Sequence, residues 1–343
     1  MLSMLIMALI MVCLSDIAFA GEWTKKADMN SPRMLINSVV VDGVIYSIGG
    51  INNLGGSADS GMEAYNPQKD FWELKAKMNE RRCWYAVNEF GGKIYVIAGS
   101  PDGSNPFSSI EVYDLIANKW EFRKDLPIRN HTMASAVLDN KIYVIGGYFW
   151  HPVEANNGMA YKDVYAYDPA SDKWEKKADY PIPNAYPSAC SYNGKIYCIG
   201  GSDVNGIPHS DVYMYDPDLD QWAPKTKLPM PRIGMSINVL GDKFYVVGGH
   251  SPQGTVSVID VYDPIQDQWV DQIKMAEGRS WHGSVIIDGE LYVIGGTHFY
   301  QGWGWPPQDI LSSVVKYRID DPKFSVNPNE KLPSTWASIK ADK

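Results

Sequence analysis

One apolar segment that ends in a glycine pair occurs six times in this 343-residue chain, about every 50 residues. Each copy has a tyrosine in its third position, and alanine replaces the first glycine only in the second copy. The copies span residues 44–50, 93–99, 141–147, 195–201, 243–249 and 290–296. Repetition at this period indicates an array of equivalent units that stack because one unit cannot bury its apolar face alone.

A two-residue turn signal and an alternating apolar segment precede each copy. The turn residues are of types that tolerate the positive φ of a tight hairpin. They are Asp42-Gly43, Gly91-Gly92, Asp139-Asn140, Asn193-Gly194, Gly241-Asp242 and Asp288-Gly289. Each unit therefore begins with a hairpin of two strands, a and b.

Two further strands follow in each unit. The third, strand c, ends in Tyr-Asp-Pro or a variant of it, and Asp and Pro favour a turn at that point. A tryptophan then opens strand d, at Trp72, Trp120, Trp174, Trp222 and Trp269. Six units of four antiparallel strands predict an all-β, six-bladed β-propeller.

The sixth tryptophan of this set lies at the other end of the chain. Trp23 stands ten residues before Arg33, as Trp72 stands ten before Arg82. We therefore predict that residues 21–29 form the outer strand of blade six, whose inner three strands lie within 279–318. Such closure removes an open sheet edge and delimits the propeller to residues 21–318, followed by a C-terminal strap at 319–343.

These marks together resemble the kelch repeat family. The double glycine after an apolar strand, the preceding tyrosine, the later Tyr-Asp-Pro and the spaced tryptophan are all present, over about 290 residues. The resemblance implies a kelch-type six-bladed propeller. It implies little about function, because propellers carry many activities.

The first 20 residues predict a signal peptide. An apolar run, Leu5–Leu14, is followed by Ala18-Phe19-Ala20, a small-x-small cleavage pattern. The region before the run has no Lys or Arg, so a buried strand or a membrane anchor is the alternative. We expect a secreted or periplasmic monomer without a further membrane span. A net charge of −9 disfavours nucleic acids and anionic membranes as partners.

Five arginines stand sixteen or seventeen residues before the glycine pairs: Arg33, Arg82, Arg129, Arg232 and Arg279. Asn184 takes this place in blade four. Because strand a is innermost in a propeller, we expect the arginines to ring the mouth of the central channel and bind a ligand. In kelch propellers that bind acidic peptides, arginines at the corresponding place line the pocket, and Arg232-Ile-Gly-Met resembles that pattern. Alternatively, each arginine bonds carbonyl groups of the neighbouring loop and holds the blades together.

Aromatic and histidine side chains follow the arginines. They differ between blades, as Leu35 and Gly234 show at equivalent places, and are Trp84, Tyr85, His131, Tyr186, Trp281 and His282. Aromatic faces beside guanidinium groups suit a sugar ring or a peptide, so we predict that these residues bind a ligand. Simple packing of the channel wall is the alternative.

The loops between strands b and c are long and variable, and those of blades three and six are the most aromatic. Long loops on a rigid scaffold are frequent locations of binding sites. They lie at the same end of the propeller as the predicted arginine ring, because strands alternate in direction. We therefore expect the binding face at this end.

No motif for a metal, a nucleotide or a nucleophile is present, so we predict no metal and no cofactor. Cys83, Cys190 and Cys198 are odd in number after removal of the signal peptide, and we expect small buried side chains rather than disulfides. Asn130-His131-Thr132 fits a glycosylation sequon, but its placement in the predicted pocket argues against glycosylation there.

Two functions of different class follow from these residues. The first is a secreted binding module for an extracellular protein, peptide or glycan, acting through the arginine- and aromatic-lined face. The second is a carbohydrate-active enzyme that resembles the exported kelch-type N-acetylneuraminate epimerases (mutarotases). That reaction needs an arginine for the sugar carboxylate and a general acid/base, for which His131 and His282 are the candidates.

Overall fold

The structure, a computed structural model, describes residues 22–52, 57–150, 158–298 and 309–319. The chain enters with β1 (Trp23–Lys26). Blade one follows with β2 (Asn37–Val41), β3 (Val44–Ile48), β4 (Met62–Asn66) and β5 (Phe71–Lys75). Blade two comprises β6 (Ala86–Phe90), β7 (Lys93–Ile97), β8 (Ile110–Asp114) and β9 (Lys119–Arg123).

Blade three carries a small extra hairpin in its b–c loop. It comprises β10 (Ala134–Leu138), β11 (Lys141–Ile145), the hairpin β12 (Tyr148–Trp150) and β13 (Gly158–Ala160), then β14 (Val164–Asp168) and β15 (Lys173–Lys177). Blade four comprises β16 (Ser188–Tyr192), β17 (Lys195–Ile199), β18 (Val212–Asp216) and β19 (Gln221–Lys225).

Blade five has a shorter hairpin at the same place. Its strands are β20 (Ser236–Leu240), β21 (Lys243–Val247), the hairpin β22 (His250–Ser251) and β23 (Gly254–Thr255), β24 (Val258–Asp263) and β25 (Gln268–Lys274). Blade six comprises β26 (Gly283–Ile287), β27 (Glu290–Ile294) and β28 (Val314–Arg318). The described residues thus form a six-bladed propeller of four-stranded antiparallel sheets, as predicted.

The N-terminal strand closes the ring. The sheet of blade six has the order β1-β28-β27-β26, and Trp23 lies opposite Tyr317. The indole Nε1 of Trp23 donates a hydrogen bond to the carbonyl of Lys274 in blade five at 3.0 Å. The prediction that Trp23 is the sixth tryptophan of the repeat is therefore confirmed.

The repeated tryptophan and an Asp or Asn two residues before it clasp the backbone N–H and C=O of one residue of the preceding blade. In blade one, Trp72 Nε1 donates to the carbonyl of Ala27, and Asp70 accepts from the N–H of the same residue and from Tyr65. The same pattern joins Trp120 and Asn118 to Ala76, Trp174 and Asp172 to Lys124, Trp222 and Asp220 to Ala178, and Trp269 and Asp267 to Thr226. The residues that identify the repeat in the sequence are therefore those that join one blade to the next.

The core lies between the blades. In each interface, apolar residues of strands b and c pack against those of the following blade; between blades one and two these include Ile48, Met62, Ile94, Val96 and Tyr113. The three cysteines of the described residues are free and buried. Among the described residues, no helix is long and apolar enough to cross a membrane.

Both predicted terminal segments lie outside the described residues. These are the signal peptide at 1–20 and, except for Ile319, the strap at 319–343.

Candidate binding site

A ring of six residues, one from each blade, surrounds the channel at the beginning of the strands a. All six have a left-handed backbone with φ between +54° and +62°; they are Leu35, Trp84, Thr132, Tyr186, Gly234 and Trp281, called the inner ring below. Only one is a glycine. A left-handed backbone at a bulky residue is uncommon and costs about 1–2 kcal/mol.

Backbone hydrogen bonds between neighbouring blades hold the inner ring in this conformation. The N–H of Leu35 donates to the carbonyl of Trp281 at 2.8 Å, and the N–H of Trp281 donates to that of Gly234 at 2.8 Å. Thr132 donates to Trp84 at 2.7 Å, and Tyr186 donates to Thr132 at 2.8 Å. The strained backbone is therefore over-determined by its surroundings, as strained residues at functional sites usually are.

The inner-ring side chains form an aromatic opening with a cavity of about 100 Å³. The rings of Tyr186 and Trp281 meet edge to face with centroids 5.3 Å apart, across blade five. Gly234 makes this approach possible, because a Cβ there would lie 2.7 Å from Trp281 Cδ2. The structure thus brings together at one opening three of the residues predicted to bind a ligand: Trp84, Tyr186 and Trp281.

Below the opening, a second cavity of about 240 Å³ follows the strands a. A hydrogen-bonded chain runs along its wall: His282 Nε2 lies 2.9 Å from Ser236 Oγ, Ser236 Oγ lies 2.5 Å from Ser284 Oγ, and Asn238 donates to Ser284. Neither cavity has an Asp, Glu, Lys or Arg among its described lining residues. The channel therefore offers hydroxyl and amide groups without a formal charge.

The predicted arginine ring at the opening is wrong. Arg33, Arg82, Arg232 and Arg279 are at most 3% exposed, and none of them lines either channel cavity. Arg82 Nη1, for example, donates to the carbonyls of Ala98 and Ser109 in its own blade at 2.6 and 2.9 Å. Arg33, Arg82 and Arg279 bind loop carbonyls, as in the alternative interpretation, but these carbonyls belong to their own blades, and Arg232 forms an ion pair with Asp260 instead.

Arg129 does not occupy the repeated position at all. Its side chain is exposed, and Asn130 takes the buried place, with Nδ2 donating to the carbonyl of Gly146 at 2.8 Å. Asn184 makes the same contact to Gly200 in blade four. The sequence register of blade three was therefore wrong by one residue.

Carboxylates in strand c explain why arginines are tolerated in the interior. Arg33 Nη2 lies 2.9 Å from Glu63 Oε1, Arg82 Nη2 lies 3.0 Å from Glu111 Oε1, and Arg232 Nη2 lies 2.5 Å from Asp260 Oδ2. Blades three and four, which have asparagine at the arginine position, have Tyr165 and Tyr213 at the carboxylate position. This pairing of residue types was visible in the sequence and could have identified the arginines as structural.

The shifted register also moves His131 out of the inner ring, where Thr132 stands instead. His131 is buried, and its Nδ1 lies 2.5 Å from the carbonyl oxygen of Tyr148. Burial lowers the pKa of this imidazole to about 4. His131 is therefore neutral at physiological pH.

Tyr85 and His282 lie one residue beyond the inner ring, in the wall. Tyr85 is buried, and its hydroxyl donates to the carbonyl of Ile48 in the preceding blade. Burial, with a smaller effect of the charge on Arg279, lowers the pKa of His282 to about 3. His282 is thus uncharged at neutral pH, where it is a poor general acid and a weak base.

Exposed apolar side chains lie on b–c loops at the same end. Met159 in β13 and Val204 and Ile207 in the loop of blade four are 56%, 46% and 60% exposed. Residues 151–157 and 299–308 of the loops of blades three and six lie outside the described residues, whereas the aromatic run of blade three, Tyr148–Trp150, forms β12. Among the described residues, no group of three or more His, Cys, Asp and Glu side chains is arranged to hold a metal.

Repeats, blade clasps and ring closure together define a kelch-type β-propeller. Residues 36–226 match the kelch-repeat domain family of KLHDC2, KLHL20 and DRC7, and residues 231–272 match the kelch motif. The chain belongs to the kelch-repeat family.

Similar proteins of known sequence share only part of their length with this chain. It is 34% identical over 178 residues to the Kelch repeat and BTB domain-containing protein 1 of Ectromelia virus, and 28% identical over 184 residues to Kelch-like protein 35 of Mus musculus. These alignments cover 51% and 53% of this chain but only 30% and 29% of those proteins.

A solved structure shares the fold over most of both chains. The structure of YjhT superposes with a TM-score of 0.70 at 16% identity, covering 84% of this chain and 96% of that one. At this identity the likeness concerns the fold alone.

Proposed function

We propose that this protein is a non-catalytic binding module, exported by means of residues 1–20, that holds an extracellular protein or peptide at the b–c loop end of the propeller. The observation that carries this proposal is the combination of the aromatic inner ring with the exposed Met159, Val204 and Ile207 at one end. Exposed apolar groups around a preformed opening are typical of interaction surfaces.

The chemistry of the opening favours an uncharged, apolar segment as the ligand. The buried arginines are engaged with their own blades, and the described lining of the opening carries no charged side chain. An acidic peptide or an acidic sugar would therefore find no counter-charge there. A neutral sugar is a second candidate, supported by the row of hydroxyl and amide groups below the aromatic ring.

The epimerase alternative has less support. Ring opening of an acidic sugar requires an exposed arginine and a group that exchanges a proton near neutral pH. The arginines at the repeated position are buried, and the two histidine candidates have pKa values of about 4 and about 3. The site is better suited to holding a ligand than to transferring protons.

The proposal is tested by selecting peptides from a random display library on the full chain, with a glycan array in parallel. Peptides rich in aromatic and aliphatic residues should be enriched, and Ile207→Asp should weaken their binding by at least about tenfold, which corresponds to about 1.4 kcal/mol. Leu219→Asp is the matched control, because Leu219 is 64% exposed in the same blade but at the c–d turn of the opposite end.

Equal loss of binding in both variants, or no enriched peptide, would contradict a peptide site at this end. Binding of a neutral glycan, sensitive to Trp84→Ala instead, would favour the second candidate. Export is tested separately, by expressing the full chain in a secreting host and sequencing the N-terminus of the exported protein. Gly21 is the expected first residue, and retention of residues 1–20 would contradict cleavage.

A further inference from the structure

Blade six lacks a carboxylate that other arginine-containing blades have. In strand c of blades one, two and five, the second paired residue is Glu63, Glu111 or Asp260, and each pairs with the buried arginine. The equivalent residue in blade six is Val315, which lies opposite Val293 as Glu63 lies opposite Ser47. Arg279 is present all the same.

In blades one and two, the carboxylate joins three groups. Glu63 accepts hydrogen bonds from the backbone N–H and the side-chain Nδ2 of Asn30, at 2.8 and 2.7 Å, and from Arg33. Glu111 does the same with Asn79 and Arg82. The carboxylate therefore ties the d–a loop entering the blade to the buried arginine.

Arg279 has only neutral partners. Its guanidinium donates to the carbonyl and the hydroxyl of Ser313, both at 2.9 Å, and to the carbonyl of Gly295 at 3.2 Å. No carboxylate of the described residues lies within ion-pair distance of it. Removal from water without a paired charge lowers the pKa of this group, although Glu277, Asp28 and Asp309 attract its charge from farther away. A buried cation without a paired anion is costly.

A cavity lies beside Arg279. It is lined also by Val315 and by the d–a loop that leads from blade five into blade six. Its volume is about 40 Å³, and its wall consists of Trp23, Met275, Ala276, Glu277, Arg279 and Val315. Ala276 stands three residues before Arg279, where Asn30 and Asn79 stand before theirs. The space is ample for a water-sized group, and hence for a halide ion or a single carboxylate.

The one acidic side chain in this wall points elsewhere. Glu277 corresponds to Glu80 of blade two, whose Oε2 lies 2.5 Å from Arg82 Nη2. In blade six, Glu277 Oε2 lies 3.0 Å from Nε2 of His298 instead, and its side chain is 67% exposed. Arg279 and Glu277 thus both line the cavity without an ion pair between them.

We propose that this cavity binds a small monovalent anion, a halide or a carboxylate such as formate, in the place of the missing glutamate. The anion would accept hydrogen bonds from Arg279 and from the backbone of the d–a loop. Trp23 belongs to β1 and Val315 to β28, so the bound anion lies at the seam where the N-terminal strand closes the ring. Anion binding would then stabilise ring closure.

The test uses the full chain and measures thermal unfolding during titration with sodium bromide or sodium formate, with sulfate keeping the ionic strength constant. A saturable rise of the melting temperature by a few degrees is expected with either anion. A response to formate alone would assign the site to carboxylates, and a response to bromide alone would assign it to halides. Crystals grown with bromide should show an anomalous peak beside Arg279.

Val315→Glu supplies the carboxylate from within the chain. This variant should melt at a higher temperature without added anion and should lose the bromide response. Val315→Gln introduces a side chain of the same shape as glutamate but without its charge. It should lose the bromide response without any rise of the melting temperature. Glu277→Gln removes a like charge and should strengthen bromide binding.

The absence of a saturable response and of an anomalous peak in the natural chain would overturn the proposal. A response that arises only in Glu277→Gln would overturn it as well, because Glu277 would then occupy the place of the anion. Peptide binding at the opening does not enter these measurements, so they are independent of the proposed function.

Discussion

Nη2 of Arg82 lies 3.0 Å from Oε1 of Glu111, and neither side chain has any exposed surface. Removing one partner of a buried ion pair leaves an uncompensated charge, whereas replacing both by a matched neutral pair costs much less. Blades three and four carry an uncharged combination at the same two positions, Asn130 with Tyr165 and Asn184 with Tyr213, and there the asparagine donates to a carbonyl of its own blade. The repeat thus has two interchangeable solutions for one position.

The first prediction follows from these two solutions. Arg82→Asn alone should lower the free energy of unfolding by about 3–5 kcal/mol, because Glu111 is left buried without its cation. Adding Glu111→Tyr should recover a large part of the loss. Urea unfolding of the two single variants and the double variant gives the coupling energy, and strictly additive losses would contradict the interchange.

The fold could be predicted from the sequence because the constant spacing of the repeated residues within this chain reflects contacts between neighbouring blades. Each repeated tryptophan donates to one carbonyl of the preceding blade, so its spacing cannot vary without breaking the clasp. The same logic located β1, since Trp23 keeps the spacing of Trp72 although it lies far from blade six in the chain. Ring closure could therefore be predicted from the position of a single residue.

The candidate site was less predictable for a physical reason. A residue just before strand a can face the channel or the interior of its blade, and its neighbours in the sequence give no sign of which. The arginines face inward, and only the acid in strand c, such as Glu63, records this. The left-handed backbone of the inner ring could not be predicted from glycines in the sequence, because five of its six residues are not glycine.

The second prediction concerns Gly234, the glycine of the inner ring. Gly234→Ala should destabilise the protein both through its φ of +62°, which costs about 1–2 kcal/mol, and through a clash with the Trp281 ring. Gly43→Ala is the control, since φ is +74° there and a Cβ would meet nothing within 4 Å. The melting temperature should fall more for Gly234→Ala, and equal falls would show that the Trp281 contact is easily relieved.

The third prediction concerns ring closure. Trp23→Phe keeps most of the ring packing but removes the hydrogen bond to the carbonyl of Lys274, so the free energy of unfolding should fall by about 1 kcal/mol. Trp269→Phe removes the equivalent hydrogen bond between blades four and five, to the carbonyl of Thr226, and should lower the free energy of unfolding by a similar amount. Chemical denaturation compares the two variants. An unchanged stability in Trp23→Phe alone would mean that β1 contributes little to closure.

The fourth prediction is a dependence of stability on pH that originates in His282. Its pKa is about 3 in the folded state, below the ordinary value of 6.5, so the unfolded chain binds more protons between these values. Stability is therefore full above about pH 6.5 and falls as the pH is lowered towards 3, by roughly 3 kcal/mol at pH 4 from this group alone. Aspartates with lowered pKa values, such as Asp70 beside Tyr65, also lose stability in acid, and they do so in any variant that keeps them. His282→Gln retains a polar group beside Ser236, so the difference between its unfolding free energy and that of the natural chain should shrink steadily from pH 7 to pH 4. Parallel pH profiles for the two chains would contradict a buried, neutral His282.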